Sequence, residues 1–148
     1  MRKPRLLLAL ALMALPAVTD GAAGWGAQAG DAPLQVVARC EARSSRWEGG
    51  AIFSYSELSV SRVVRGVPDH VLVVRQRGGS VDGIGQRVSH AALLEPGQRY
   101  LLFLEPDESG AWTPTSKGVN EIVEQADLSD TVAGEPLDEV IGALGAAN

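Results

Sequence analysis

The sequence predicts a mainly β domain: five or six strands curled into a small barrel or a sandwich, finished by a short helix. Three observations carry this. Short stretches of period-two apolar alternation recur from Leu34 to Gln125, separated by clusters of Gly, Pro, Asp and Ser. The most apolar of them, "RYLLFLEPD" (Arg99 to Asp107), is too short for a core helix and is bounded by turns on both sides. Only the last dozen residues change to a helical period. At 148 residues the chain suits one domain, and no internal repeat breaks it up.

The amino-terminal segment is expected to stand apart from that domain. "MRKPRLLLALALMALPAV" places Arg2, Lys3 and Arg5 before an apolar run from Leu6 to Leu15. A positive end, a short apolar core and a small-residue exit make up a secretory signal, here residues 1–23. The run is too short to span a bilayer, and it lacks the polar face of a helix packed on a domain. Small residues at the cleavage spacing occur twice, in "GAA" (Gly21 to Ala23) and "AQA" (Ala27 to Ala29), so the exit lies between 23 and 29. Residues 24–33 read as a flexible lead, and the folded domain as 34–148. No later stretch is long and apolar enough for a membrane span, so the mature chain is expected in the periplasm or the medium. Loss of Arg2, Lys3, Arg5 and Asp20 moves the net charge from −5 to −7. An acidic surface disfavours general nucleic-acid binding.

The elements follow in order. "LQVVARC" begins the first strand, Leu34 to about Arg46, with Cys40 in phase with Leu34, Val36 and Ala38. As the only cysteine it cannot close an internal disulfide, and its phase predicts a small buried hydrophobe; an intermolecular bridge or a reactive thiol is the other reading. "WEGG" (Trp47 to Gly50) supplies a turn. In "AIFSYSELSVSRVVRG", Phe53 and Tyr55 sit on odd positions and Leu58, Val60 and Val64 on even ones, so the apolar face changes near Glu57. One long strand with a bulge, or two shorter strands, would do this. "GVPD" turns into "HVLVVRQ", a strand whose middle reads as buried on both faces. Gly78, Gly79, Gly83 and Gly85 then break one strand and let the next curl. After the turn "LEPGQ" comes the apolar strand, then the loop "DESG", then "AWTPTS" and a further short strand "NEIVEQ". Leu137, Val140, Ile141 and Leu144 fall at i, i+3, i+4 and i+7, which predicts a helix at about 136–146 with Pro136 in its first turn.

Several chemistries are excluded by pattern. "GIGQRV" (Gly83 to Val88) starts like a dinucleotide fingerprint, but Val88 replaces the third glycine and Pro96 prevents the helix that should follow. No Gly-Lys-Ser/Thr forms a P-loop. His70 and His90 are the only histidines, and neither has a partner at ligand spacing; a His70/His90 site shared with Asp69 or Asp82 is the weak zinc arrangement that remains. Ser80, Ser89, His70, His90 and Asp82 supply the parts of a hydrolytic triad without a nucleophile elbow. Glu105, Asp107 and Glu108 read as a solvated hairpin loop rather than paired acids in a cleft. No catalytic residue, metal or cofactor is expected. The candidates are for binding: Trp47 and Trp112 near turns, and Arg75, Arg77 and Arg87 around the glycines in an otherwise acidic domain. Exposed aromatics can hold sugars or proteins, and an arginine cluster can hold a carboxylate or an acidic partner. Core filling by the tryptophans and ordinary exterior charge are the competing readings.

"VSRVVRG" (Val60 to Gly66) resembles the turn that ends the long strand of netrin-like, or tissue-inhibitor-of-metalloproteinase-like, barrels, and "LEPGQRYLLFLE" is similar to their "G-x-x-Y-L" strand through Gly97, Tyr100 and Leu101. Uncharacterised bacterial secreted proteins resemble the chain more closely, through Gln76, Gly78, Gly79, Gly97, Tyr100 to Leu104 and Gly118, over about Leu34 to Leu144. The resemblance implies an OB-like barrel serving as a protein-binding module, in one branch a metalloproteinase inhibitor. Those inhibitors begin with a disulfide-bonded cysteine whose amine and carbonyl chelate the protease zinc. Cys40 is internal and unpaired, so that mechanism does not carry over. The resulting expectation is a secreted or periplasmic, non-catalytic module whose partner is another extracytoplasmic protein, a protease being one kind. A small hydrolase using His70 or His90, and a structural cell-envelope protein, are the alternatives.

Overall fold

A computed structural model describes residues 21–87 and 92–147. Most of the expected leader, residues 1–20, lies outside the described residues, as do Ser89 and His90. The described chain is mainly β. It runs α1 (Gly21–Ala29), β1 (Leu34–Glu48), β2 (Ala51–Arg65), β3 (Leu72–Arg77), β4 (Gly79–Val81), β5 (Ile84–Gln86), β6 (Arg99–Pro106), β7 (Trp112–Glu124), β8 (Asp130–Val132), β9 (Glu135–Pro136) and α2 (Leu137–Ala147). One sheet has the order β3-β2-β1-β6-β7-β8-β9; β4 and β5 form a separate hairpin. Neighbours are antiparallel, but β3 also meets β7 in parallel at Val74↔Trp112, so the sheet is partly ringed.

Curling the sheet creates two cores. Leu34, Val36, Ala38, Cys40, Leu58, Leu72, Val74, Leu94, Tyr100, Leu102 and Leu104 pack inside the ring. Val37, Leu101 and Phe103 point the other way and pack with Ile122, Val132 and the apolar face of α2. Alternate residues of β1 and β6 therefore feed different cores, which is why "YLLFL" is continuously apolar. The helix expected at 136–146 is present as Leu137–Ala147, and Leu137, Val140, Ile141 and Leu144 are its buried face. Cys40 is buried and free, as its phase predicted.

Four local expectations need correction. Residues 24–29 are not a flexible lead: they belong to α1, whose Trp25 and Ala29 are buried in the second core. Its glycine-rich sequence has little helical propensity, so packing supplies what propensity does not. The inward face of β2 does not change at Glu57. Ile52, Ser54, Ser56 and Leu58 all stay buried, while Phe53 and Tyr55 sit on the outer surface. Bulges do occur: the β1–β2 register leaves Glu41, Ser61 and Val64 without direct partners, which bends both long strands. β3 alternates cleanly, with Leu72, Val74 and Gln76 buried and Val73 exposed, rather than being covered on both faces. Finally, "AWTPTS" and "NEIVEQ" are one strand, β7, interrupted by an irregularity opposite Phe103. There Gly118 lies so close that a side chain would collide with the Phe103 carbonyl and the Thr115 amide.

Candidate functional site

The glycines after β3 shape one end of the ring. Gly78 and Gly79 have φ of 115° and 129°, a region other residues avoid. The chain thereby leaves β3 and folds back as the β4–β5 hairpin, whose turn, Asp82 and Gly83, has both φ values positive. The Gly78 amide donates to the Ile52 carbonyl at 2.7 Å, and Ser54 Oγ donates to the Gly78 carbonyl at 2.8 Å. The Ile52 amide donates to Gln86 Oε1 at 2.9 Å. Gln76 is buried and secures the next loop: its Nε2 donates to the Ala92 carbonyl and its Oε1 accepts from the Leu94 amide. A segment that resembles a phosphate cradle is thus bonded at Gly78 and Gln86 to its own end of the ring.

On the outer face of the same end, strand alternation brings together residues far apart in sequence. Phe53 and Tyr55 of β2 stand beside Arg75 of β3 and Arg46 and Glu48 of β1, with Asp107 reaching in from the β6–β7 loop. The Arg75 guanidinium lies 3.6 Å from the Phe53 ring centroid. It donates to Glu48 Oε2 at 2.8 Å, to Asp107 Oδ2 at 2.9 Å and, through Nε, to the Tyr55 hydroxyl at 3.1 Å. Tyr55 in turn donates to Glu48 Oε1. Arg46 donates to the same oxygen at 2.8 Å and stacks 4.1 Å from the Tyr55 ring. These hydrogen bonds, from Tyr55 first, then Arg75 and Arg46, lower the Glu48 carboxyl to about 2. Burial alone would raise Asp107, but donation from Ser109, Arg75 and Ala111 outweighs it and holds Asp107 below the usual carboxylate range. Burial likewise disfavours the Arg75 charge, and the bonds to Glu48, Asp107 and Tyr55 more than offset it. The network ties the ends of β1, β2 and β3 to the β6–β7 loop beside the β3–β7 seam.

The predicted binding residues therefore separate. Arg75 is engaged in that network, each of its three nitrogens donating one hydrogen bond. Trp112 is half-buried and packs on the core inside the ring. Trp47, 45% exposed, is the last residue but one of β1, two before the β1–β2 turn and opposite Ile52 across the strand pair. Arg77 and Arg87 are exposed on the strand and hairpin flanking the same end, as is Ile84. His70 is exposed in the β2–β3 turn. Asp69, Ser80 and Asp82 are exposed as well. Asp107 caps its own loop, accepting from Ser109 and Ala111 through Oδ1. Among the described residues no group of three His, Cys, Asp or Glu side chains is placed to hold a metal. No helix among them is long and apolar enough to cross a membrane. A shallow depression of about 190 Å³ lies beside the network, lined by Ala42, Arg43, Ser44, Tyr55, Glu57 and Val73.

Sequence reasoning missed Glu48, Phe53 and Tyr55 as members of this face. The signal was present in the odd-position aromatics of β2, read as a change of core face when they mark an outer surface covered by arginines. Comparison with family models, curated proteins and solved structures finds no match for this chain.

Proposed function

We propose that this domain is a secreted or periplasmic, non-catalytic interaction module built as an OB-like barrel, and that it holds another extracytoplasmic protein at the β1–β2 turn. The connectivity supports the barrel. Three consecutive antiparallel strands, β1 to β3, are followed by β6, which pairs back on β1, and by β7, which meets β3 in parallel; that cyclic order is the one expected of a five-stranded Greek-key OB barrel.

The observation that carries the binding reading is Trp47. A large aromatic, 45% exposed, sits at a short hairpin end instead of filling either core. Exposed Ile84 and the exposed cations Arg46, Arg77 and Arg87 belong to the strands and hairpin joined to that end. A large exposed aromatic is a common anchor of a protein-binding hot spot. The exposed arginines at this end are opposite in charge to the whole chain, so they favour an acidic partner surface. An extracytoplasmic protease is one partner of this kind.

The test is affinity capture from periplasm or culture medium with the mature protein, beside Trp47→Ala and Arg77→Glu. One or a few proteins should be retained by the wild type and lost with Trp47→Ala, and bound more weakly by Arg77→Glu. Equal retention by all three forms, or none by any, refutes the reading.

A further inference from the structure

Two small-residue patterns follow the apolar run, and α1 distinguishes between them. Cleavage after Ala29 would remove Trp25, which is 5% exposed and lies edge-on to Phe103 with ring centroids 6.4 Å apart. It would also remove the donation from Trp25 Nε1 to Glu135 Oε2 at 2.5 Å, and those from Gln28 to Asn120 Oδ1 at 2.7 Å and to the Lys117 carbonyl at 3.2 Å. Ala29 itself is buried, and its carbonyl accepts from the Ala32 amide at 3.2 Å. The second core would lose one wall over Phe103. Cleavage after Ala23 removes none of these contacts.

We propose that the leader is removed by hydrolysis of the Ala23–Gly24 peptide bond, and that residues 24–29 remain as the first packed element of the mature protein. The inference rests on the secretion reading above. Water adds at the Ala23 carbonyl carbon, the C–N bond breaks, and Ala23 leaves as a carboxylate while Gly24 keeps the amine. Gly24 is exposed and lines a surface depression of about 260 Å³ together with Trp25, Gln28, Asn120, Ala133 and Glu135. The new ammonium therefore emerges at the surface in company with a carboxylate, and no buried group has to accommodate it. Keeping Trp25 also accounts for helix at residues 24–29 despite Gly24 and Gly26: their propensity is poor, and packing supplies what it does not.

The experiment is expression of the full chain, leader included, in an export-competent bacterium, then intact mass and amino-terminal sequencing of the exported protein. The expected first residue is Gly24. Ala27→Arg, at an exposed position inside the second pattern, should be processed like the wild type. Ala23→Phe, at a residue the mature protein lacks, should accumulate uncut precursor. A first residue of Gly30, or accumulation of precursor with Ala27→Arg, overturns the assignment while leaving secretion intact. A wild-type chain that is neither cut nor exported overturns the secretion reading, and this assignment with it.

Discussion

Replacing Gly79 by alanine should destabilise the domain by about 4 kcal/mol. A Cβ at this position would lie 2.4 Å from Ser54 Oγ and 2.5 Å from Ser45 Oγ, and φ is +129°. Backbone strain of this kind costs about 1–3 kcal/mol. Forcing an extra carbon into a filled space costs about 1–3 kcal/mol more. Turning either hydroxyl aside breaks the 2.8 Å Ser45–Ser54 bond or the Ser54–Gly78 bond, worth about 1 kcal/mol. Gly110→Ala is the control: φ is +83° but nothing lies within 4 Å of the added carbon, so only the left-handed penalty of about 1–2 kcal/mol applies. Urea unfolding followed by far-UV circular dichroism measures both. With a slope of about 2 kcal/mol per molar, the midpoint should fall by about 2 M for Gly79→Ala and by less than about 1 M for Gly110→Ala. Losses equal to within about 0.5 kcal/mol would show that the serines do not confine Gly79.

Trp25→Ala should cost about 3–5 kcal/mol in the same assay, whereas exposed Trp47→Ala should change stability by less than about 0.5 kcal/mol; similar losses would refute the assignment of Trp25 to the core and Trp47 to the surface. The Glu48 carboxyl is lowered from 4.5 to about 2 and Asp107 is lowered too, so the unfolded chain binds more protons in acid. Their contribution is fully present above about pH 4.5 and is lost as pH falls toward 2. The melting temperature should drop across that window, and Arg75→Gln, which removes a shared donor, should flatten the drop; parallel profiles for the two proteins would count against the network. Cys40 is buried, and burial pushes its thiol above the ordinary value. It should resist a water-soluble thiol reagent in the native protein and react fully in denaturant, whereas rapid native labelling would contradict its place inside the ring.

Legibility in the sequence followed the range of the interaction. The helix at 137–147 could be read from four apolar residues at helical spacing, because one stripe against one core sets that pattern. The phase of Cys40 was readable because β1 alternates locally toward the ring interior. The "Asp-Gly" pair at 82–83 is a hairpin signal of the same local kind that went unread: a curl was expected where the β4–β5 hairpin forms. The outer face failed to show itself for the opposite reason. Phe53 and Tyr55 look like core residues until Arg75 and Arg46, from other strands, are laid over them. Ser54 and Ser56 look like surface residues until the ring closes over them. The lead at 24–33 was misread because glycine and alanine carry no periodic signal, and only Phe103 and Glu135, more than 70 residues away, make Trp25 a core residue.

The amino-acid order by itself determined the mainly β character, the turns, the closing helix, and the absence of a P-loop or dinucleotide fingerprint. Each of these depends on a period or on a backbone conformation set within a few residues. Tertiary structure alone decided which arginines are exposed and which are engaged in ion pairs, which tryptophan is exposed and which is core, and why the glycines after β3 are there. Those outcomes depend on strands separated by tens of residues meeting at distances of a few ångströms. The run from Arg75 to Gly85 shows both levels at once: its breaks follow from glycine, but its place against one end of the ring follows from Ser45, Ser54 and Ile52 lying beside it.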